Sequence, residues 1–406
     1  MNAADYQRSL GRKIAAERKR RGLSQPDLAK IVGRSVAWVS QVERGVRRVD
    51  RMSVLESLAS ALDVPLAELA AEAPIVAAVT DESPVAGGLR LVLSGAHSLR
   101  AMLNGHDSPD LESLRTRAGR AWELAHDGRY ADLTELLRAL IPDLETAARA
   151  LPVADRAEVY ELMAASYQAC SAALDKLGEP EAAWIAADRS MTAAERASKP
   201  LLVAAGAFRL GFVFMSARHF DQAEETARTT ADALWHLADD GTPEAMSLWG
   251  ALTLQRAIIA ARTGEAVTAY GHLDRARQMA GLLGRGRNDY NTEFGPANAD
   301  LFEIAVAVEL GDAGRALRVA AATDAAGLSA ERRARMLIDV ARAHAQRRQV
   351  ADAVAALRQA EDITPEQLHG HHLVRQLVSD LLTMQDQPDA ALHELSVRLG
   401  ITGVRD

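Results

Sequence analysis

The stretch SQPDLAKIVGRSVAWVSQVERGVRR, residues 24–48, decides how this chain is read. Ser24 is a favourable N-cap, and Pro26 and Asp27 suit the first turn of the helix it opens. Leu28, Ala29 and Val32 give that helix a buried stripe, and Gly33 permits a tight turn at its end. Ser35 caps the next helix, whose Val39 and Val42 share an inner face, and Gly45 stops it. The spacing predicts two short helices joined by a tight turn, then a cationic loop with Arg47 and Arg48.

The flanks extend this into a bundle. Tyr6–Arg21 carries Leu10 and Ile14 four apart, with Lys13, Arg18, Lys19, Arg20 and Arg21 around them, and Gly22 ends it. Its basic C-terminal end suits the helix dipole. Two more helices are expected at Met52–Leu62 and Pro65–Ala71. Leu55, Leu58, Leu62, Leu66 and Leu69 then complete the core of a five-helix unit over residues 1–72.

LSQPDLAKIVGRSVAWVSQVERGVRRV resembles the helix-turn-helix of the Xre, or lambda-repressor-like, family over about residues 8–70, with LSQ, LA, the turn glycine, VSQVE and ERG in register. The resemblance implies a five-helix DNA-binding domain whose partner is double-stranded DNA. It places Gln25, beside Ser24, on a phosphate, and Val36, Ala37 and Gln41 on base edges with Ser35 and Ser40 beside them. Gln41 can bond both edges of an adenine, and Val36 or Ala37 can touch a thymine methyl. Arg34, Arg44, Arg47 and Arg48 join the DNA-facing set, the last three holding the backbone without reading sequence. Arg18 and Glu43 match a family salt bridge between the first and third helices, the other reading being an Arg18 that touches DNA. Trp38 faces outward by helical phase, either onto a sugar-phosphate or against the first helix or a partner subunit. A homodimer would set two third helices about 34 Å apart on an inverted repeat.

Composition sets the wider frame. Hydrophobic residues are 48% of the 406 and aromatics only 4%, which favours close-packed, alanine-rich helices and an all-α fold. The net charge of -8 divides into +4 over residues 1–72 and -12 over the rest, so only the head is expected to meet a polyanion. Cys170 is the single cysteine, which rules out an intrachain disulfide or a cysteine-cluster metal site. No apolar run reaches bilayer length, and MNAADYQRSLGRK has no signal-peptide core. A soluble cytoplasmic protein without membrane contact is expected. No phosphate loop, nucleophile elbow or HExxH motif is present, so neither an enzyme nor a cofactor is expected.

Residues 73–110 read as a linker with one helix, Leu89–Leu103, that either caps the helices after it or pairs with its copy in a dimer. From residue 111 to 406 a polar or glycine turn between alanine-rich helices recurs at Gly128, Gly178, Arg218, Gly264, Gly311, Gln349 and Gln387, 38 to 50 residues apart. This is the pattern of stacked helix pairs and resembles degenerate tetratricopeptide repeats. A lambda-repressor-like head joined to such an α-solenoid resembles the peptide-sensing, quorum-sensing regulators of Gram-positive bacteria. The alanine-rich body and its arginine bias fit an actinobacterial source.

The resemblance implies a peptide or small-molecule effector on the concave face. The candidate segment is 284–302, which supplies Arg287, Asn288, Tyr290, Asn291, Glu293, Phe294 and Asn298. Arg209, Trp249, Gln255 and Arg256 are secondary candidates. The other reading of 284–302 is a connecting loop whose asparagines cap the next helix. His369, His371 and His372 lack a carboxylate or cysteine at ligand spacing and read as a solvated helix start rather than a metal site. The function expected is a sequence-specific transcriptional regulator whose repeat domain senses a signal and sets dimer geometry. The alternative is an interaction scaffold, or a regulator controlled by an antirepressor protein.

Overall fold

The computed structural model describes residues 3–47, 49, 52–62, 64, 84–95, 110–385 and 389–401, with backbone alone at 3–6, 52, 53, 55, 56 and 372. The described residues form α-helices and a single 3-10 turn, with no strand. The head has α1 (Ala3–Arg20), α2 (Gln25–Ile31), α3 (Val36–Glu43) and α4 (Met52–Leu62). A capping box ties Ser24 to Asp27 at the start of α2, and Ser35 Oγ accepts from Trp38 N at the start of α3. Leu10, Ile14, Leu28, Val39, Val42, Leu58 and Leu62 close the core. At Gly11 a Cβ would lie 2.4 Å from Val42 O, so α1 crosses α3 at a position that only glycine fills. The fifth helix expected at Pro65–Ala71, with Leu66 and Leu69, lies outside the described residues, as does the side chain of Leu55.

The linker helix begins earlier than its periodicity suggests. It is α5 (Pro84–Val92), with Gly87 and Gly88 inside it. A Cβ on Gly88 would lie 2.6 Å from Thr134 Cγ2, so a glycine that reads as a linker residue instead sets a close helix contact. Ala86 and Leu89 are buried in the core of the first helix pair, and α5 caps the array. Leu99 and Met102 lie outside the described residues.

Six helix pairs make up the array: α6 (Leu111–His126) with α7 (Tyr130–Ala150), α8 (Val153–Lys176) with α9 (Pro180–Arg196), α10 (Pro200–Ser216) with α11 (Phe220–Asp239), α12 (Pro243–Thr263) with α13 (Ala266–Leu283), α14 (Pro296–Leu310) with α15 (Ala313–Ala322), and α16 (Ala330–Gln346) with α17 (Val350–Ile363). Short α18 (Pro365–Gly370), α19 (His372–Met384) and α20 (Ala390–Arg398) end it. The expected turn positions fall between paired helices, each with a residue in the left-handed region: Gly128, Gly178, Arg218, Gly264, Gly311 and Arg348, the last one before Gln349. Gln387 lies outside the described residues.

The two helices of a pair differ in kind. First helices stack on one another, and the central ones are the most fully buried: α12 buries fourteen of its twenty-one residues and α14 eleven of fifteen. Second helices bury one stripe, as α11 does with Ala223, Ala227, Ala231, Leu234 and Ala238. The array coils until its ends meet, with α6 against α16. Ala131 N donates to Glu366 Oε2 at 2.8 Å, and Lys176 lies 3.4 Å from Glu331. Among the described residues no helix is long and apolar enough to cross a membrane.

Candidate nucleic-acid interface

The third helix α3 is gripped from two sides. Inside the head, Arg18 pairs with Glu43, and Gln25 Nε2 donates to the same carboxylate at 2.7 Å. Burial opposes ionisation of Glu43, yet the bonds from Arg18 and Gln25 outweigh it and hold the carboxyl below its usual range. Arg18 therefore serves as the inter-helix tie rather than as a DNA contact, with Nη1 on Leu23 O at 2.7 Å. Gln25, expected on a phosphate, has its amide engaged.

The other side of α3 meets the solenoid. Ser35 Oγ donates to Leu310 O at 2.9 Å and Gln41 Nε2 to Gly311 O at 3.4 Å. Arg47 donates to Val308 O and Glu309 O at 3.3 and 2.5 Å, and Arg34 Nη1 to Arg262 O at 3.5 Å. All five acceptors are main-chain carbonyls at the C-terminal ends of α12 and α14, where unsatisfied carbonyls and the helix dipole gather partial negative charge. The donors assigned to DNA here hold another row of acceptor oxygens.

Trp38 is corrected by this arrangement. It is 5% exposed, packed into the head core and facing the solenoid, with the Arg34 guanidinium 5.5 Å from its ring centre. The outward face expected of it is covered here by the solenoid. Gln41 is likewise 5% exposed. Val36, Ala37 and Arg44 remain exposed, and Ser40 is half-buried. Arg44 Nε donates to Ser40 O at 3.1 Å. Arg48 lies outside the described residues.

The structure splits the ligand candidates. Phe294 is a core residue, closed over Gly250, where a Cβ would lie 2.0 Å from its Cζ. Gln255 is buried between α10 and α12 with Nε2 on Phe208 O at 2.9 Å, and Trp249 packs at a tilt against Trp235, ring centres 5.1 Å apart. Arg256 pairs with Glu224, and Arg287 pairs with Asp289 and Glu244 at the surface. Asn288 Oδ1 accepts from Glu293 N at 2.8 Å. None of these six lines the cavity between head and solenoid or the small chamber beside α6.

Three candidates do converge. Arg209, Asn291 and Glu293 line a small chamber with Trp122, His126 and Tyr130, and Arg209 Nη2 donates to Tyr290 O and Asn291 O at 3.4 and 2.6 Å. Burial, with Arg332 nearby, pulls the Arg209 guanidinium down to about 9. Tyr290 itself packs on the neighbouring cores. Asn298 donates to Thr292 O rather than capping a helix, and it lines the cavity between head and solenoid. Tyr290, Asn291 and Glu293 all take positive φ, so the loop is tightly turned. Lys176, Glu331, Arg332, Arg335 and Arg342 were missed by sequence reading. Glu331 is fully buried, but Lys176 and Arg332 overcome the burial and hold it down at about 2. Their only sequence signal was charge, with Lys176 at the end of α8 and the other four on the arginine-rich α16.

Of the histidine run, His371 lies on the wall of the cavity between head and solenoid. His369 pairs with Glu361 at 2.8 Å, and His371 caps α19 by accepting from Leu373 N.

Residues 9–71 match the family model for the helix-turn-helix domain. Among solved structures the chain is similar to PlcR of Bacillus thuringiensis, crystallised in complex with the peptide PapR7 and DNA. The identity is 13% and the TM-score 0.28, over 68% of this chain and 95% of that one. A search of curated proteins finds no match. The chain thus carries a helix-turn-helix domain at the head of an all-helical solenoid.

Proposed function

We propose that the chain is a sequence-specific DNA-binding transcriptional regulator whose solenoid controls access to its reading helix in response to a peptide or small molecule. The observation that carries this is the capped helix–Gly33–capped helix of residues 24–43, matched to the helix-turn-helix family. Val36 and Ala37 stand exposed at the start of α3, with Arg44 exposed beyond its C-terminus. In this reading Gln41, Val36 and Ala37 read bases, while Arg34, Arg44 and Arg47 hold phosphates. Two copies bind as a dimer on an inverted repeat, and the present arrangement is the DNA-free one.

The test is a selection for bound sites with the wild-type chain and with Glu309→Arg. Glu309 lies 3.9, 3.6 and 3.1 Å from Arg47, Arg262 and Arg342. An arginine there repels the head, and duplex affinity is expected to rise by about tenfold or more, some 1.4 kcal/mol. On that background Arg44→Ala should lower the salt slope by about one, and Gln41→Ala should relax preference at one base pair. If neither chain protects any duplex at low salt, the reading fails.

A further inference from the structure

Head and solenoid together wall a cavity of about 310 Å³, within the range of small-molecule sites. The head contributes Trp38, Val49 and Val54 to its apolar wall, and the solenoid Phe212, Phe302 and Met336. Lysine and arginine outnumber aspartate and glutamate eight to four along that wall. The carboxylates are shared: Glu309 serves Arg47, Arg262 and Arg342, and Asp339 lies 3.4 and 2.8 Å from Arg335 and Arg342. Glu331 and Glu293, just behind the wall, take up Lys176 and Arg332, which leaves six cations to four carboxylates, and a further anion in such a low-dielectric space is attracted by that excess. Asn298, on the same wall, is 2% exposed and its Oδ1 has no protein partner. That oxygen, just behind the wall, gains a partner when the side chain turns toward an N–H or O–H of an occupant.

We propose that this cavity binds an organic anion with an apolar body and one hydrogen-bond donor, and that its occupancy holds the reading helix off DNA. The sign comes from the geometry. Trp38, Arg34 and Arg47 belong to the wall only while the head is docked, and Arg34, Ser35, Gln41 and Arg47 are then bonded to solenoid carbonyls. A ligand that needs both halves binds the docked state and opposes any partner that needs them apart, and the opposition is reciprocal. The inference rests on the DNA-binding reading above.

The probe is 8-anilinonaphthalene-1-sulfonate, which unites a sulfonate, two aromatic ring systems and an N–H. Its fluorescence is titrated against the full chain with and without a mixed-sequence 30-base-pair duplex at low salt. Saturation near one dye per chain and displacement of the dye by duplex are expected. Dye at ten times its Kd should raise the apparent duplex Kd about tenfold. Arg335→Glu, by reversing a wall charge, and Met336→Trp, by filling the space, should each weaken the dye at least tenfold while keeping the wild-type circular dichroism. Even if neither variant folds, competition between dye and duplex on the wild-type chain still decides. Duplex binding that leaves the dye undisturbed overturns this inference alone, as does dye binding unchanged in a folded variant. Absence of duplex binding by both the wild-type and Glu309→Arg chains overturns the inference and the DNA-binding reading together.

Discussion

His272 on α13 is 3% exposed, with Nδ1 3.0 Å from Arg275 Nη2. The guanidinium donates, so Nδ1 must keep its lone pair and the ring must be neutral. Burial, then the charges of Arg256 and Arg275, push its pKa down to about 4. The unfolded chain therefore binds a proton that the folded chain refuses between about pH 6.5 and 4. Stability from this group is complete above the unfolded value and is lost as pH falls through that window. Replacing it as His272→Gln should flatten this part of the profile, worth about 2 to 3 kcal/mol. Urea midpoints of the two chains at pH 7 and pH 4.5 check it, and parallel profiles would rule it out.

The same scale shows where sequence reading stops. Val39 and Val42 were legible as the inner face of α3 because their partners are close in the chain. Trp38 and Gln41 form a second buried face against residues some 270 positions away, and no local period records that cover. Phe294 reads as a binding aromatic in its polar segment, yet it is buried because Gly250 leaves room for it.

At the scale of elements, the helix-pair turns were the most legible feature. Each needs one residue in the left-handed region to satisfy the last carbonyls of the first helix, and four of the six are glycine. Gly264 and Gly311 carry a second constraint. A Cβ at Gly264 would lie 2.2 Å from Arg34 Nη1, and one at Gly311 would lie 3.5 Å from Gln41 Oε1. The turn glycines are also where the head approaches. Arg348 takes the same turn at φ 62, lining a small cleft with Arg8, Arg44 and Gly45 of the head, and it bears the strain of a side chain there. Arg348→Gly should stabilise the chain by about 0.5 to 1 kcal/mol, the relieved strain exceeding glycine's added unfolded-state entropy. The urea midpoint should rise with an unchanged slope. A lower midpoint would mean the arginine side chain contributes more than its backbone costs. The α5 start was misread for a related reason, since Gly87 and Gly88 signal a linker locally, and Gly88 shows a close packing contact only once α7 lies beside it.

For the whole molecule, the charge division between basic head and acidic remainder was legible, but its use was not. The head meets the solenoid at carbonyl ends and at Glu309, in a neighbourhood richer in arginine than in acid. Net charge locates an affinity for polyanions without locating the surface that competes for it.

The meeting of α6 with α16 changes how the molecule should come apart. A linear stack frays from its ends like a zipper, each pair answering only to its neighbours. Here the last pairs buttress the first, so damage at one terminus is felt at the other. A chain ending after Asp324 loses the residues that touch α6, and amide exchange across Leu111–His126 should accelerate about tenfold or more, matching a loss of roughly 1.4 kcal/mol of local protection. A zipper would show faster exchange in Pro296–Ala322 alone. The protein should melt as a hoop, whose cutting anywhere loosens the whole circumference.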